Sequence, residues 1–541
     1  MASNLRTLIA TDETTVAELL QSFEFADQDL LIIDQNTVVT APHMELLTDY
    51  PRSVTTALVA PTYHGDTRVS QDRIASASSA FHQVENGNHS FLGVIRLSQN
   101  QRSEVIQVMK DIGQKEHEGL AIDLLLVGLT RAAVVVAPAS VVGAPYIRSN
   151  DQSMRAQTEA AIASLHEPRL RLKLANRAND GFFSVFFLRK ISKIFTWVAV
   201  KLKMTPNQVT LISFLVGLYS AYCFSKGSFW MILSGAILLQ LSIIIDCVDG
   251  ELARYTRRFS QLGAWLDAIT DRVKEYLVFF ALAYGAARNG RDLWILAMGM
   301  MVFQTFRHLS DYNFARINKV RTSYLAPIDF DQKSDNFLSL EKRKQTRLEY
   351  WSRKILQFPI GERWLVISTA SVIGGAGFTF TVMPILALIS ISFVFRTRIV
   401  KTLTWPKERV MKSLIDNQLD TVGGKNPNNR FDWLLPSLLR LIEGLFLIWL
   451  TLITDIDRAH MFIIIFAILF NHYDNLYRAL QSEKKPLWLS IAGGFILGRA
   501  LAITLTIWLG FSLLPLTIYL STLFFAISSA QWILSHKTKE G

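Results

Sequence analysis

Asp246, Asp249, Asp267 and Asp271 are the residues of this chain best placed to do chemistry. They stand where apolar stretches meet: Asp246 closes the run 229–245, and Asp271 precedes the run 277–284. A carboxylate at the centre of a membrane helix costs about 2.5–3.5 kcal/mol on insertion scales, so its default reading is functional. Asp246 and Asp249 are three residues apart, and Asp267 and Asp271 are four apart, so each pair falls on one helix face. Two such faces meeting offer four hard oxygen ligands to one or two divalent cations. Mg²⁺, Mn²⁺ or Ca²⁺ suits them, and zinc does not. Gly250 lets backbone or ligand come close, and Arg254 on the same predicted helix has the charge to hold a diphosphate.

The full pattern, D-x2-D-G-x2-A-R-x8-G-x3-D-x3-D, resembles that of the CDP-alcohol phosphotransferase family. Asp246, Asp249, Gly250, Ala253, Arg254, Gly263, Asp267 and Asp271 fill its fixed positions. A salt-bridged helix pair using Arg254, Arg257 and Arg258 would not need the two glycines. The resemblance implies a reaction in which an acceptor hydroxyl attacks the β-phosphorus of a CDP-alcohol and CMP leaves. It implies that Asp246, Asp249 and Asp267 hold metal, two ions of Mg²⁺ or Mn²⁺. Asp271 is then the base and a ligand of the second ion. Gly250, Ala253 and Arg254 would line the CDP-alcohol site with Asp249, Ser260 and Gly263. Asn207 and Thr210, in the preceding Thr205-Pro206-Asn207-Gln208-Val209-Thr210, would join them, although a plain helix cap explains that hexapeptide about as well.

Residues around this core narrow the resemblance. The runs D-G-E-L-A-R and S-x-x-G-A-W-L-D, with Asp180-Gly181-Phe182 and Arg189 upstream, are similar to members that join CDP-inositol to inositol phosphate. Those members are often fused to an N-terminal nucleotidyltransferase domain. Here the chain opens without the glycine-rich loop that cradles a triphosphate, and its first glycine is Gly65. The N-terminal domain is therefore expected to be a degenerate, regulatory or partner-binding relic. The donor stays open between CDP-diacylglycerol and CDP-inositol, and the acceptor is a polyol or polyol phosphate. Arg307, Arg316, Arg396 and Arg398 are candidate acceptor-binding cations, with snorkelling toward headgroups as the plainer account.

The chain has 541 residues, half of them hydrophobic and 19% charged. It is too long for one ordinary domain, and the reading is an α-helical integral membrane protein of about ten transmembrane helices with an N-terminal soluble α/β nucleotidyltransferase-like domain. Within the first 180 residues no apolar run reaches the roughly 20 residues a span needs, and no signal peptide is recognised at the start. The two cysteines, Cys223 and Cys247, exclude a disulfide framework. The net charge of +11 crowds the segment before the first span and certain loops between later spans, which points to anionic lipid and not to nucleic acid.

Four segments are expected. Residues 1–165 form the α/β domain, with strand-like runs at 30–33, 55–60, 91–97 and 132–137 and a helix at 101–112. Residues 166–203 are a basic linker ending in an amphipathic helix at the membrane interface. Residues 204–400 are a six-helix transferase domain, and 401–541 a four-helix extension of unknown role. Spans are placed at 207–225, 229–247, 264–287, 293–315, 363–379, 381–397, 432–453, 459–480, 487–507 and 511–534. The loop 319–362 reads as a flap or a solvated linker. Lys and Arg alternate between loops so that both termini and the aspartates fall on the cytoplasmic side of the plasma membrane. In the extension, Glu443 is expected to pair with Arg440 or Arg499, and Asp474 with Arg478; a second polar cavity is the alternative. The resemblance also implies a homodimer. A catalytically inactive scaffold of a lipid-synthesis complex and a transporter are the rival readings; the complete aspartate set and the lack of a clear internal repeat weigh against them.

Overall fold

The computed structural model describes residues 5–47, 54–70, 73–79, 83–84, 87–114, 118–132, 134–175, 180–323, 347–403, 431, 433–480 and 485–540, without the side chains of 70, 316–323, 347 and 536–540. The chain divides into two units, one built on Met1–Asn176 and one holding Arg177–Asn318 and Lys342–Gly541.

The N-terminal unit is a mixed sheet with helices on both faces. Its strands are β1 (Arg6–Ala10), β2 (Leu30–Asp34), β3 (Thr37–Val38), β4 (Thr55–Gly65), β5 (Thr67–Ser70), β6 (Arg73–Ala77), β7 (Gly87–Leu97), β8 (Val136–Ser140) and β9 (Ile147–Arg148). The main order is β1-β2-β7-β4-β8, with β1–β2 and β4–β8 parallel and β7 antiparallel to both neighbours. The hairpin β5–β6 extends the sheet beyond β4 and β7, and β3 pairs with β9. Alternation along β2 sends Leu30 and Ile32 to one face and Leu31 to the other, and all three are buried. The first face packs against α1 (Val16–Glu24), α3 (Arg102–Gly113) and α4 (Ala121–Arg131), and the second against α2 (Ala41–Leu47). Burial of both faces explains why the strands read as continuous apolar runs. The run 132–137 begins late, because α4 holds the chain helical to Arg131 and β8 starts at Val136.

Two carboxylates of this unit are taken up internally. Arg148 donates to Asp34 at 2.7 Å and, in a fork, to Asp123 at 2.8 and 3.1 Å. Burial pushes the Asp123 carboxyl above its ordinary value, with Arg148 opposing. After α5 (Gln152–Ala163), α6 (Glu167–Leu174) belongs to this unit: Leu170 is buried and Arg171 grips Glu45 of α2 with both terminal nitrogens.

The second unit is helical: α7 (Arg189–Lys201), α8 (Pro206–Ser225), α9 (Phe229–Thr256), α10 (Gln261–Arg288), α11 (Trp294–Ser323), α12 (Arg347–Leu356), α13 (Ile360–Leu403), α14 (Leu435–Ile453), α15 (Arg458–Leu480), α16 (Leu487–Ala492), α17 (Phe495–Trp508), α18 (Leu514–Ser521) and α19 (Ser528–Glu540). Among the described residues six helical segments are long and apolar enough to cross a membrane, against about ten expected. The difference has two physical sources. Helices stand at the expected positions 264–287, 293–315 and 459–480, but α10, α11 and α15 carry ionisable side chains that face other helices. From Met461 to Arg478 nearly every side chain of α15 is buried. The expected pair 363–379 and 381–397 is α13, with its break at Gly374–Gly375 and not near 380. Gly375 sits at φ 67°, a conformation a side chain would strain. Residues 324–346 of the expected flap, and 404–430, lie outside the described residues.

α7 is amphipathic in an inverted sense. Arg189, Ser192 and Thr196 are buried, while Ile191, Ile194, Phe195, Trp197 and Val198 are exposed. All three buried residues donate to Glu251 of α9, at 2.9, 2.8 and 2.6 Å. An apolar outer face with Lys190 and Lys201 beside it suits the headgroup boundary.

In the extension the expected ion pairs form. Glu443 accepts from Arg499 at 3.0 Å and meets His472 at 2.9 Å, and Asp474 accepts from Arg478 at 2.9 Å. Arg440 turns instead to the other ring nitrogen of His472 and to the Pro436 carbonyl.

Candidate metal and nucleotide site

The site is built where α8, α9 and α10 meet. Thr205 caps α8 through the Gln208 amide while the Gln208 side chain returns the bond, and Pro206 fills the first turn. Ser260 caps α10 through the Gly263 amide at 2.9 Å. Between α9 and α10 the chain turns at Arg257, in the left-handed region at φ 57°.

α8 and α9 are registered by a ladder of polar contacts. Thr210 donates to Asp249 at 2.6 Å, and Ser213, one turn on, donates to Asp246 at 3.1 Å. One turn further Gly217 faces Ser242 and the stem of Lys274, and a Cβ at Gly217 would lie 2.7 Å from Lys274 Cδ. Lys274 is fully buried on α10, and its ammonium reaches Asp246 at 2.6 Å, Ser213 at 3.0 Å and Asp271 at 3.1 Å.

Three of the four aspartates converge: Asp246, Asp267 and Asp271 place one carboxylate oxygen each within 4.8 Å of one another. Asp249 is turned to Thr210. Clustered carboxylates with a single lysine among them keep net negative charge. Hard oxygens at that separation fit a divalent cation of the Mg²⁺ or Mn²⁺ kind.

Some of the expected nucleotide residues meet one another. A Cβ at Gly263 would meet Asn207 Oδ1 and Ser260 Oγ, each at 2.8 Å, so these three form one wall. The Arg254 guanidinium folds back along Gly250, one turn earlier on α9. Ala253 stands on the same last turns. The four acceptor candidates part company. Arg307 and Arg398 converge on Asp311, with Arg398 at 2.6 Å and Arg307 at 4.0 Å, and Arg307 also donates to the carbonyls of Gln357 and Phe358. Arg396 is exposed on α13, and the side chain of Arg316 lies outside the described residues.

Three contributors escape a reading based on carboxylates alone. Lys274 follows Asp271 by three residues, so its place on the acidic face was available from helical spacing. Ser213 follows Thr210 in the same way. Glu275 gives no such signal: its bonds to Arg363 at 2.9 and 3.1 Å tie α10 to α13 from inside the bundle, and Arg272 of α10 adds one at 3.2 Å.

The geometry agrees with comparison to known proteins. Residues 203–331 match the family model described as CDP-alcohol phosphatidyltransferase. They are a domain of that family. The resemblance carried by the aspartate pattern is thereby borne out. Residues 366–538 match a second family, one of unknown function, which takes in most of α13 and the extension. Over 158 residues the chain is 33% identical to a bifunctional IPC transferase and DIPP synthase of Archaeoglobus fulgidus, covering 29% of this chain and 31% of that protein. It is 39% identical over 84 residues to an archaetidylinositol phosphate synthase of Pyrococcus horikoshii, covering 16% of this chain and 43% of that one. It is 31% identical over 134 residues to a phosphatidylinositol phosphate synthase of Streptomyces avermitilis, covering 23% and 53%. The chain thus spans between about a third and a half of these curated relatives.

Within the transferase-family domain the close approach at Gly217 gives a test. Gly217→Ala drives a methyl into the Lys274 stem, and overpacking of this kind costs about 1–3 kcal/mol. The expected result is a clear fall in the melting temperature of detergent-solubilised protein. Gly299→Ala on α11, where nothing lies within 4 Å, should leave it unchanged.

Proposed function

We propose that this chain is an integral membrane, divalent-metal-dependent CDP-alcohol phosphotransferase. It moves a substituted phosphate from a CDP-alcohol, CDP-diacylglycerol or CDP-inositol, to an acceptor alcohol, with inositol phosphate as the favoured acceptor, and releases CMP. The observation that carries this reading is the meeting of Asp246, Asp267 and Asp271 from two helices, within 4.8 Å, inside the family domain.

Asp246, Asp249, Asp267 and Asp271 hold the ions in this reading, probed as Mg²⁺ or Mn²⁺, two in number. Bound there, the metal offsets charge on the diphosphate and orients it. Asn207, Thr210, Ser260, Gly263, Gly250, Ala253 and Arg254 form the CDP side of the site, Arg254 as the guanidinium for a phosphate oxygen. The acceptor oxygen forms a bond to the β-phosphorus as the bond from that phosphorus to the CMP oxygen breaks. Asp271 takes the acceptor proton. Arg307 and Arg398, with Arg316 and Arg396, supply cations for a phosphorylated acceptor.

The named relatives act in inositol phosphate lipid synthesis, which supports the acceptor assignment. The N-terminal unit is read as nucleotidyltransferase-like without cytidylyl transfer: it has no glycine-rich opening loop, and Arg148 occupies both Asp34 and Asp123. We place the protein in the plasma membrane, with its site and termini on the cytoplasmic side, as a homodimer.

CMP release by the purified chain tests the reading. CDP-diacylglycerol and CDP-inositol are each offered with polyols and polyol phosphates, with Mg²⁺ or Mn²⁺. The expected result is release that needs one donor, one acceptor and metal, stops with EDTA, returns when metal is restored, and is absent in Asp267→Asn. Folded protein that binds CDP-alcohol yet releases no CMP in any pairing would point to a scaffold instead.

A further inference from the structure

α10 has two opposite working faces. At about 100° per residue, Asp267, Asp271 and Lys274 fall within about 60° of one another. Trp265, Arg272 and Tyr276 fall within about 40° of one another on the opposite side. The first set makes the carboxylate site. The second set is held by α15, a helix of the extension.

Trp265, two residues before Asp267, donates its indole N–H to Asp474 of α15 at 3.1 Å. Asp474 is fully buried and is itself fixed by Arg478 at 2.9 Å and by the Ser528 hydroxyl at 2.6 Å. The neighbouring Tyr473 hydroxyl bonds His308 at 2.9 Å and lies 3.4 Å from that of Tyr276, which also bonds Thr305 at 2.7 Å. The Arg272 guanidinium lies 5.9 Å from the centre of the Tyr473 ring. The grip therefore brackets the metal-facing stretch, with Trp265 before it and Arg272 and Tyr276 after it. The bonds are directional, and lost bonds in an apolar interior are not replaced by water.

We propose that the extension is the positioning element of the metal site. Trp265 and Tyr473 set the rotation of α10 about its own axis, and so set where Asp267 and Asp271 point. Rotations of only about 10–20° are enough to spoil a binding constellation, and groups outside a metal's ligands typically change its affinity about 10–100-fold. This inference rests on the metal reading above and assigns a task to an extension that the chemistry itself does not need.

The test is Mn²⁺ binding to the full chain in detergent without substrate, followed by electron paramagnetic resonance. Trp265→Phe keeps an aromatic ring but removes the donor and part of the indole; Asp474 retains its other partners, so a folded protein with a moderately lower melting temperature is expected. We expect Mn²⁺ affinity to fall at least about 10-fold, while Tyr473→Phe, which removes only a hydroxyl, should change the melting temperature little. Half-maximal CMP release should shift to higher Mn²⁺, with kcat recovered at saturation. Tyr473→Phe should act in the same direction and carries the test if Trp265→Phe does not fold. Trp508→Phe, at a residue 79% exposed, is the control. Wild-type affinity in folded Trp265→Phe and Tyr473→Phe overturns the proposal, as does a wild-type chain that binds no Mn²⁺. A wild type that binds Mn²⁺ but releases no CMP overturns the proposed reaction and leaves this comparison of affinities standing.

Discussion

Asn in place of Asp271 is expected to lower kcat for CMP release by about 10²–10⁴-fold, the range that a positioned general base contributes. The substitution keeps shape and removes one anionic oxygen. Asp271 lies 3.1 Å from the Lys274 ammonium and shares a 4.8 Å cluster with Asp246 and Asp267. Two roles are open to it, and they separate by measurement. If it accepts the acceptor proton, CDP-alcohol binding and Mn²⁺ binding survive while turnover disappears. If it acts mainly as a ligand, binding of both falls together with turnover. Asp267→Asn supplies the reference for the second pattern, since the proposed reading gives Asp267 only a metal-holding role. Unchanged kcat in Asp271→Asn would remove it from the chemistry altogether.

The second large effect is on stability. Glu251 is 1% exposed and takes three hydrogen bonds from α7. Glu251→Ala leaves the Arg189 guanidinium buried beside a cavity with only Asp180, at 2.6 Å, for a counter-charge. Removing one partner of a buried ion pair costs about 3–5 kcal/mol, and the retained Asp180 contact puts the expectation at the lower end. The melting temperature of the solubilised protein should fall sharply, and trypsin should gain access to Lys190 and Lys193. The double variant Arg189→Met with Glu251→Met should recover much of the loss, because the buried guanidinium is gone and the Asp180 carboxylate that loses it is partly exposed. A Glu251→Ala protein that melts with the wild type would show that α7 is held by its apolar contacts alone.

Much of the site was legible because its residues obey short-range rules. The aspartate pairs stand at helical spacings, their glycines mark close approaches, and Ser260 and Thr205 are recognisable caps. Helix positions followed from apolar runs, including those of α10 and α15. What was not legible depends on long-range partners. The turn of Asp249 toward Thr210, the claim of Arg148 on Asp34 and Asp123, and the docking of Glu251 under α7 each join residues tens of positions apart. The span count of about ten compares with six described helices that are long and apolar enough to cross a membrane, because ionisable side chains keep α10, α11 and α15 out of that set. Apolar length does not say whether a helix such as α15 faces lipid or other helices. The break in α13 fell at Gly374–Gly375, where backbone freedom and not hydropathy decides.

Lys274 has a consequence for how the protein enters the bilayer. α9 brings two carboxylates into apolar surroundings, and α10 brings two more together with the lysine that reaches back to Asp246 at 2.6 Å. Each charge costs about 2.5–3.5 kcal/mol to place alone at the centre of a membrane helix. Separately inserted, the two helices would bear that cost in full. Inserted together, they cancel part of it through the Lys274 contacts and the hydroxyls of α8. The charges of α9 and α10 are therefore less costly to bury together, with α8 beside them, than on either helix alone.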